Sequence, residues 1–165
     1  MSKLIIIRGQ SGSGKSTVAK AVREQLPGKT ALVEQDYLRR NLLGERGGQS
    51  RDNIKLINLT TRFALENSYS VIIEGILHNE HYGDMLRGLT EDYPENHIYY
   101  IDVSLEETLI RHQLKPNKDE FGEVEMTKWY RAKDYLNFKN EVIIPETITK
   151  QEIIDLILQK NFERR

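Results

Sequence analysis

The sequence has no cysteine, which excludes disulfides and thiol chemistry. It has no excess of either charge, because 24 lysine and arginine residues are balanced by 25 aspartate and glutamate residues. A broad basic surface, which proteins that bind nucleic-acid duplexes usually carry, is therefore not expected. No apolar run is long enough to span a membrane, and the residues before the first glycine are too few for a signal peptide. We therefore expect a cytoplasmic protein with no membrane partner.

Apolar segments alternate with segments of helical periodicity along residues 1–165, a length that suits a single domain. Short apolar runs predict five buried strands, at residues 4–7, 31–33, 71–73, 97–103 and 141–144. Because helical segments lie between them, the strands should form a five-stranded parallel sheet with helices on both faces. This arrangement is a three-layer α/β architecture. Ligands of such sheets bind beyond the carboxyl ends of the strands.

Capping patterns and periodicity predict several of the helices. Ser104 with Glu107 and Thr149 with Glu152 form two capping boxes, each of which predicts a helix start. Residues 54–67 predict a helix with an apolar face towards the core. The side chains predicted to point inward are those of Ile54, Ile57, Leu59, Phe63 and Ala64.

The segment from Gly9 to Thr17 matches the pattern Gly-x4-Gly-Lys-Ser/Thr between a predicted strand and a predicted helix. Glycines let the backbone wrap closely around a polyphosphate, and the amides then point inward at a helix N-terminus. Lys15 brings a positive charge to the β and γ phosphates, and the Ser16 hydroxyl can ligate Mg²⁺. A chance Gly/Ser-rich turn would have to reproduce the whole pattern with both flanking elements. The residues of the predicted nucleoside-triphosphate site are Gly9, Gln10, Ser11, Gly12, Ser13, Gly14, Lys15, Ser16 and Thr17.

Asp36 follows the second predicted strand and is the strongest candidate for a catalytic base. A carboxylate at that strand end faces the space beside the γ phosphate. There it can accept a proton from an acceptor hydroxyl and orient that oxygen for attack. A structural role is the alternative, because aspartate before Tyr37 and Leu38 is also a favoured helix cap. The two roles are compatible.

Four segments, taken in order, resemble a group of P-loop kinases. They are the phosphate loop, Asp36-Tyr37-x-Arg39, Ile72-Ile73-Glu74-Gly75 and Asp102-Val103-x4-Thr108-x2-Arg111. They are similar to the group that contains phage polynucleotide kinase, zeta toxins, chloramphenicol phosphotransferase and gluconate-kinase-like enzymes. The resemblance covers nearly the whole chain, and the phosphate loop is its most specific part. It implies a three-layer P-loop NTPase fold that uses ATP and Mg²⁺.

The resemblance also implies roles for residues outside the phosphate loop. In this group the aspartate after the second strand activates the acceptor hydroxyl, and it corresponds to Asp36. A nearby arginine holds the acceptor, and it corresponds to Arg39 or Arg40. The acid that ends the third strand, here Glu74, positions the substrate or Mg²⁺-bound water. An arginine on the helix that leads into the lid contacts the ATP phosphates, and it corresponds to Arg111.

Residues 115–125 are polar and contain proline and glycine, so we expect them to form a short mobile lid. Lids of this group often carry two or more arginines, whereas here Lys115 and Lys118 follow Arg111. A lysine provides a point charge without the bidentate geometry of arginine, which leaves open whether these lysines replace lid arginines. Residues 124–138 predict an aromatic-rich helix after the lid.

The predicted function is an ATP-dependent kinase that transfers the γ-phosphoryl group to a hydroxyl of a small molecule. A polynucleotide 5′-hydroxyl kinase is an alternative, because a strand end can be held by few contacts even though the near-neutral charge disfavours long nucleic acid. A GTPase would need an Asn-Lys-x-Asp segment after the fourth strand, and Asp102-Val103-Ser104 does not match it. A nucleotide-binding NTPase module without an acceptor is the last alternative. Such a module would not need Asp36, Glu74 and Arg111 at the other strand ends.

Overall fold

A five-stranded parallel sheet forms the centre of the protein. The computed structural model of the chain describes residues 2–46, 51–116 and 118–162. The strands, in chain order, are β1 (Leu4–Gly9), β2 (Thr30–Glu34), β3 (Ser70–Gly75), β4 (Asn96–Asp102) and β5 (Glu141–Pro145). They lie in the order β2-β3-β1-β4-β5, and every neighbouring pair is parallel. The predicted α/β sheet is therefore confirmed.

The apolar run of β1 explains its central position in the sheet. All six residues of this strand are buried, as expected for a strand with a neighbour on each side and helices on both faces. Ile6 pairs in register with Ile73 of β3 and with Ile98 of β4. The loop that follows β1 therefore emerges in the middle of the carboxyl edge of the sheet.

Helices cover both faces of the sheet. They are α1 (Lys15–Gln25), α2 (Asp52–Glu66), α3 (Asn79–Asp92), α4 (Leu105–Gln113), α5 (Glu123–Trp129) and α6 (Lys150–Phe162), with a π-helical segment at Tyr37–Leu42. Helices α1 and α6 share one apolar cluster with Ile5 and Ile7 of β1. Helices α2 and α3 share the other cluster with Leu4 and Ile6. Successive side chains of β1 therefore point to opposite faces of the sheet and contribute to two separate apolar cores.

The inward face of α2 differs in part from its prediction. Ile57 is fully buried, but Leu59 is 67% exposed and Phe63 is 64% exposed. Each residue of an α-helix turns by about 100°, so Leu59, two residues after Ile57, lies on the opposite side of the helix. Thr61 occupies the inward position instead and is fully buried. Apolar character alone did not identify the buried face.

The predicted helix over residues 124–138 is much shorter in the structure. Helix α5 ends at Trp129, and Tyr130 already has extended backbone angles of φ −64° and ψ 129°. The residues that follow are held by tertiary contacts with β1 and with the loop after it. The amide of Arg131 donates to the Gln10 side chain, and Asp134 is bonded to Arg8. These contacts outweigh the local helical preference.

Arg8 of β1 is fully buried and joins three parts of the chain. Its guanidinium donates to the Leu77 carbonyl at 3.1 and 2.8 Å, to the Asp134 carboxylate at 2.8 Å and to the Glu141 carboxylate at 3.4 Å. Burial lowers the pKa of Arg8, and the two carboxylates oppose this shift. The ion cluster fixes the segment after α5 against the sheet.

No helix in residues 2–46, 51–116 and 118–162 is long and apolar enough to cross a membrane.

The two faces of α2 provide a test of the fold. We expect Ile57→Ala to lower the free energy of unfolding by about 2–5 kcal/mol, because it opens a cavity in the core. Leu59→Ala removes an exposed side chain from the same helix and should change this free energy by less than about 0.5 kcal/mol. Urea denaturation of both variants measures the difference. Equal losses would contradict the described orientation of α2.

Candidate nucleotide and phosphoryl-transfer site

The phosphate loop connects β1 to α1 and depends on its glycines at two positions. Gly14 is the residue before α1 and has φ +93°, a conformation that favours glycine. A Cβ on Gly9 would lie 2.6 Å from Ser13 Oγ and 2.9 Å from the Ile101 carbonyl. The loop therefore packs tightly against itself and against β4. This is the strand–loop–helix setting that the sequence motif predicts.

Lys15, the first residue of α1, folds back over the phosphate loop. Its ammonium group donates to the Gln10 carbonyl at 3.2 Å, and the residue is only 9% exposed. A lysine ammonium group has three donors. The bond to Gln10 therefore leaves Lys15 able to bind an anion held by the loop amides.

Ser16 and Glu74 form the predicted metal-binding pair. The Ser16 hydroxyl donates to Glu74 Oε1 at 3.0 Å, and Glu74 is 4% exposed at the end of β3. Glu74 Oε2 is buried and has no hydrogen-bond partner among the described residues. A hydroxyl and a carboxylate with an unpartnered oxygen are the kind of donors that Mg²⁺ prefers. The residues present therefore fit a bound Mg²⁺ ion.

Burial also controls the charge of Glu74. Desolvation raises the pKa of its carboxyl, while the charge of Lys15 and the hydrogen bond from Ser16 oppose this shift. Within the described residues, no group of three or more histidine, cysteine, aspartate and glutamate side chains is placed to hold a metal. A cation at this site would therefore take its remaining ligands from phosphate oxygens and water, as Mg²⁺ commonly does.

Asp36 lies just beyond β2 and carries two arginines beside it. Its Oδ1 is 3.4 Å from Arg39 Nη2 and 3.8 Å from Arg40 Nε, and the Asp36 side chain is 66% exposed. Its negative charge also acts on Glu74, which places both carboxylates at the same edge of the sheet. The candidate base and both arginines predicted to hold the acceptor are therefore brought together.

The alternative role of Asp36 as a helix cap is not observed. Its backbone is already helical, with φ −65° and ψ −37°, and its side chain makes no cap hydrogen bond. A capping residue normally has extended backbone angles and accepts a bond from the first turn. The carboxylate of Asp36 is therefore not committed to the backbone.

Arg111 of α4 reaches the phosphate loop, where it binds backbone carbonyls. Its guanidinium donates to the Ser13 carbonyl at 3.1 Å, to the Glu146 carbonyl at 3.3 Å and to the Glu107 carboxylate at 2.8 Å. Arg111 thus connects α4, the phosphate loop and the loop between β5 and α6. Arg111 therefore contacts the phosphate loop, and its role at the ATP phosphates stays a prediction.

The capping box predicted at Ser104 is completed by a residue from another part of the chain. The Ser104 hydroxyl accepts from the Glu107 amide at 3.3 Å, as expected. The Ser104 amide, however, donates to the Glu146 carboxylate at 3.0 Å, and Glu107 pairs with Arg111. The start of α4 is therefore held both by a local hydrogen bond and by a tertiary contact with the β5–α6 loop.

Lys115 and Lys118, the two lysines of the predicted lid, have different surroundings. Burial lowers the pKa of Lys115, and the positive charge of Lys15 lowers it further, while Glu74 opposes this shift. Lys115 is half-buried, whereas Lys118 is exposed, with its carbonyl 3.0 Å from Nε2 of the His112 ring and its amide 3.4 Å from the Lys115 carbonyl. Of the two, Lys115 is the one within electrostatic reach of Lys15 and Glu74.

The side chain of Gln10 serves the fold. Gln10 was predicted in the nucleotide site as a member of the phosphate loop. Its amide donates to the Tyr100 hydroxyl at 2.9 Å and accepts from the Arg131 amide at 3.2 Å. The motif allows any residue at this position, so these contacts cannot be predicted from it.

Lys150 was missed by sequence reasoning. It is the first residue of α6, and its Cε lies 3.7 Å from the position that a Cβ on Gly14 would occupy. The only local signal was the capping box at Thr149 and Glu152, which predicted the helix start. The contact with the phosphate loop depends on how α6 packs against α1.

The sheet order, the glycine-rich loop after β1 and the Lys15-Ser16 pair at the start of α1 define a P-loop NTPase fold. The family described as AAA domain (AAA_33) matches residues 4–138, and the chain belongs to this family. A search among curated proteins found no match.

Solved structures of small-molecule kinases share the fold over nearly the whole chain. The APS kinase CysC of Mycobacterium tuberculosis, in complex with AMPPNP and APS, has 19% identity and a TM-score of 0.74, with 96% of each chain covered. A gluconokinase from Sinorhizobium meliloti 1021 has 16% identity and a TM-score of 0.64, covering 96% of this chain and 94% of the other. Shikimate kinase from Acinetobacter baumannii, in complex with shikimate, has 16% identity and a TM-score of 0.61, covering 99% and 97%.

The buried carboxyl of Glu74 gives a pH-dependent prediction. Because its pKa is raised in the folded protein, the folded state binds this proton more tightly than the unfolded chain does. The contribution of this group to the free energy of unfolding therefore falls as the pH rises through the folded pKa. Glu74→Gln cannot ionise, so we expect it to be more stable than the parent at pH 7. This advantage should disappear below about pH 4.

The same substitution should weaken Mg²⁺-dependent ATP binding by about 10–100-fold. Denaturation at both pH values and ATP titration with and without Mg²⁺ measure the two effects. Glu91→Gln, which changes an exposed residue of α3, is the matched control and should show neither. A parent protein that stays as stable as Glu74→Gln at pH 7 would contradict the buried, ionised carboxylate.

Proposed function

We propose that the protein is an ATP-dependent kinase that transfers the γ-phosphoryl group of ATP to a hydroxyl of a small molecule. The observation that carries this proposal is the position of Glu74. Its buried carboxylate is bonded to Ser16 of the phosphate loop and lies within electrostatic reach of both Lys15 and Asp36. A protein that binds a nucleotide without phosphorylating an acceptor would not need a second carboxylate, that of the exposed Asp36, at the same edge of the sheet.

The acceptor class is supported by the structural neighbours. An APS kinase, a gluconokinase and a shikimate kinase all have names that refer to small molecules. The balanced charge of the chain is consistent with such an acceptor, because proteins that bind many nucleic-acid phosphates need a basic surface. The arginines beside Asp36 fit an acceptor with negative or polar groups.

The proposed reaction is a single in-line displacement. The hydroxyl oxygen of the acceptor forms a bond to the γ phosphorus, and its proton passes to the Asp36 carboxylate. The bond between the γ phosphorus and the β–γ bridging oxygen breaks, and ADP leaves with that electron pair. Ser16 would hold Mg²⁺ directly, and Glu74 would hold it through a water molecule. The ion would neutralise negative charge on the phosphates.

Charge and position matter more than base strength in this reaction, because the transition state of phosphoryl transfer is loose. Lys15 would bind the β and γ phosphates, and Arg39 or Arg40 would orient the acceptor beside Asp36. Arg111 would hold the phosphate loop in shape through the Ser13 carbonyl. Lys115 would then bring the second positive charge, from the segment between α4 and α5.

The remaining expectations belong to the same proposal. Residues 1–165 would form one kinase domain, and residues 115–125 would act as a lid that closes over bound ATP. A cytoplasmic location fits the proposed use of ATP.

Asp36→Asn tests the role of the candidate base. We expect acceptor phosphorylation to fall by about 10²–10⁴-fold, the usual range for a positioned acid–base group. ATP affinity should be unchanged, since Asp36 lies outside the phosphate loop. The asparagine keeps the shape of the side chain, so the effect reports the lost proton acceptor. Full activity of Asp36→Asn in a γ-phosphate transfer assay would remove Asp36 from the mechanism.

A screen of acceptors tests the substrate class. Transfer of labelled γ-phosphate should be efficient for one class among sugars, nucleosides, antibiotics and other small hydroxyl compounds. Transfer to short oligonucleotides should be weak and should not depend steeply on salt. Efficient labelling of oligonucleotide 5′ ends that weakens steeply with added salt would instead support a polynucleotide kinase. ATP loss that needs no added acceptor would support a plain NTPase.

A further inference from the structure

Lys150 stands against the phosphate loop although it comes from the last helix. The Thr149 hydroxyl accepts from the Glu152 amide at 3.3 Å, and the Glu152 carboxylate accepts from the Thr149 amide at 2.8 Å. This completed capping box fixes Lys150 as the first residue of α6. The Lys150 methylene next to its ammonium group then lies beside Gly14, at the N-terminus of α1.

Gly14 is a residue of the phosphate loop that lies beside Lys150 of α6. It directly precedes Lys15, and the amides around it are those that surround an anion in a phosphate loop. The ideal Cβ position on Gly14 has the Lys150 Cε at 3.7 Å, an ordinary contact distance. The Lys150 ammonium group is one bond further along the side chain. It is therefore within side-chain reach of anything held by these amides.

Three lysines converge on this place, and few acidic groups balance them. Lys15 and Lys150 both act electrostatically on Lys115, and Glu74 and Asp36 are the carboxylates that act on it in return. Asp36 is already paired with its two neighbouring arginines. Around Lys115, the charges of Lys15 and Lys150 are thus opposed by Glu74 and by Asp36, whose charge is already shared with two arginines. Such an excess of positive charge suits a ligand with several negative charges.

The charge of Lys150 does not stabilise the start of α6. A positive charge in the first turn of a helix opposes the helix dipole, which favours acidic residues there. Within the described part of the chain, Lys150 forms no ion pair with a carboxylate that would offset this cost. A residue that breaks a local rule without a compensating contact points to a functional role.

We propose that Lys150 binds the phosphate chain of the nucleotide, so that α6 completes the site formed by the phosphate loop. This inference rests on the proposed function, because it takes ATP to be the ligand. An ammonium group is a donor without an acceptor and suits phosphate oxygens better than the mixed edge of a base. Lys150 lies outside residues 4–138, the part of the chain that the AAA domain family matches. The C-terminal segment would therefore add a contact that the family region does not contain.

The test is direct binding of the non-hydrolysable analogue AMPPNP with Mg²⁺, measured by calorimetry with no acceptor present. We expect Lys150→Ala to weaken binding by roughly 10-fold, the loss of one charge-assisted hydrogen bond. Lys150→Arg keeps the charge and should stay within about 3-fold of the parent. Binding of adenosine should be unchanged in both variants. The affinity of Lys150→Ala should also depend less steeply on salt, because one ionic contact is missing.

Two controls separate the possible outcomes. Lys160→Ala removes an exposed lysine from the other end of α6 and should bind AMPPNP like the parent. Lys15→Ala should lose most of the affinity, as expected for the phosphate-loop lysine. The thermal unfolding midpoint of Lys150→Ala should equal or exceed that of the parent, because the unfavourable charge at the helix start is gone.

The inference is overturned if Lys150→Ala binds AMPPNP as tightly as Lys160→Ala while Lys15→Ala still loses affinity. An equal loss for adenosine would also overturn it, since the contact would then be with the base or ribose. If the parent binds no AMPPNP, or Lys15→Ala binds like the parent, the proposed kinase function itself fails. A Lys150→Arg variant as weak as Lys150→Ala would also overturn it, because packing and not charge would then be responsible.

Discussion

The position of β1 between β3 and β4 decides where the phosphate loop lies relative to the other strand ends. Because the three strands are parallel and in register, their carboxyl ends reach one edge of the sheet together. The phosphate loop follows β1, and Glu74 ends the neighbouring strand β3. The next strand, β2, brings Asp36 to the same edge. A parallel sheet therefore assembles the site from residues that are far apart in the sequence, and the chain needs no long loop to do so.

Three lysines from different parts of the chain bring positive charge to the phosphate loop. Lys15 comes from the loop itself, Lys115 from the segment after α4, and Lys150 from α6. Arg111 differs from these lysines, because its donors are used on the carbonyls of Ser13 and Glu146. In the proposed site the lysines would bind the ligand, while the arginine would hold the loops in place. This division suits the two side chains, since the planar guanidinium presents several donors in fixed directions.

Sequence patterns predicted the strands, the parallel sheet and the phosphate loop, because these features follow from residue types and from the alternation of strands and helices along the chain. They failed where a side chain has long-range partners. Leu59 is apolar and yet exposed, and the helix predicted over residues 124–138 ends early because Gln10 and Arg8 hold the segment that follows it. Lys150 could not be found for the same reason. The helix start was visible in the sequence, but the packing of α6 against α1 was not.

The buried cluster around Arg8 has an evolutionary consequence. Removing Arg8 alone would leave Asp134 and Glu141 without their cation, and loss of one partner from a buried ion pair costs about 3–5 kcal/mol. Replacing the whole cluster with apolar residues of similar volume can be nearly neutral. Single exchanges at these positions would therefore be purged in related chains, whereas joint exchanges would survive. Positions 8, 134 and 141 should covary in an alignment of such sequences, although they are more than a hundred residues apart at the extremes.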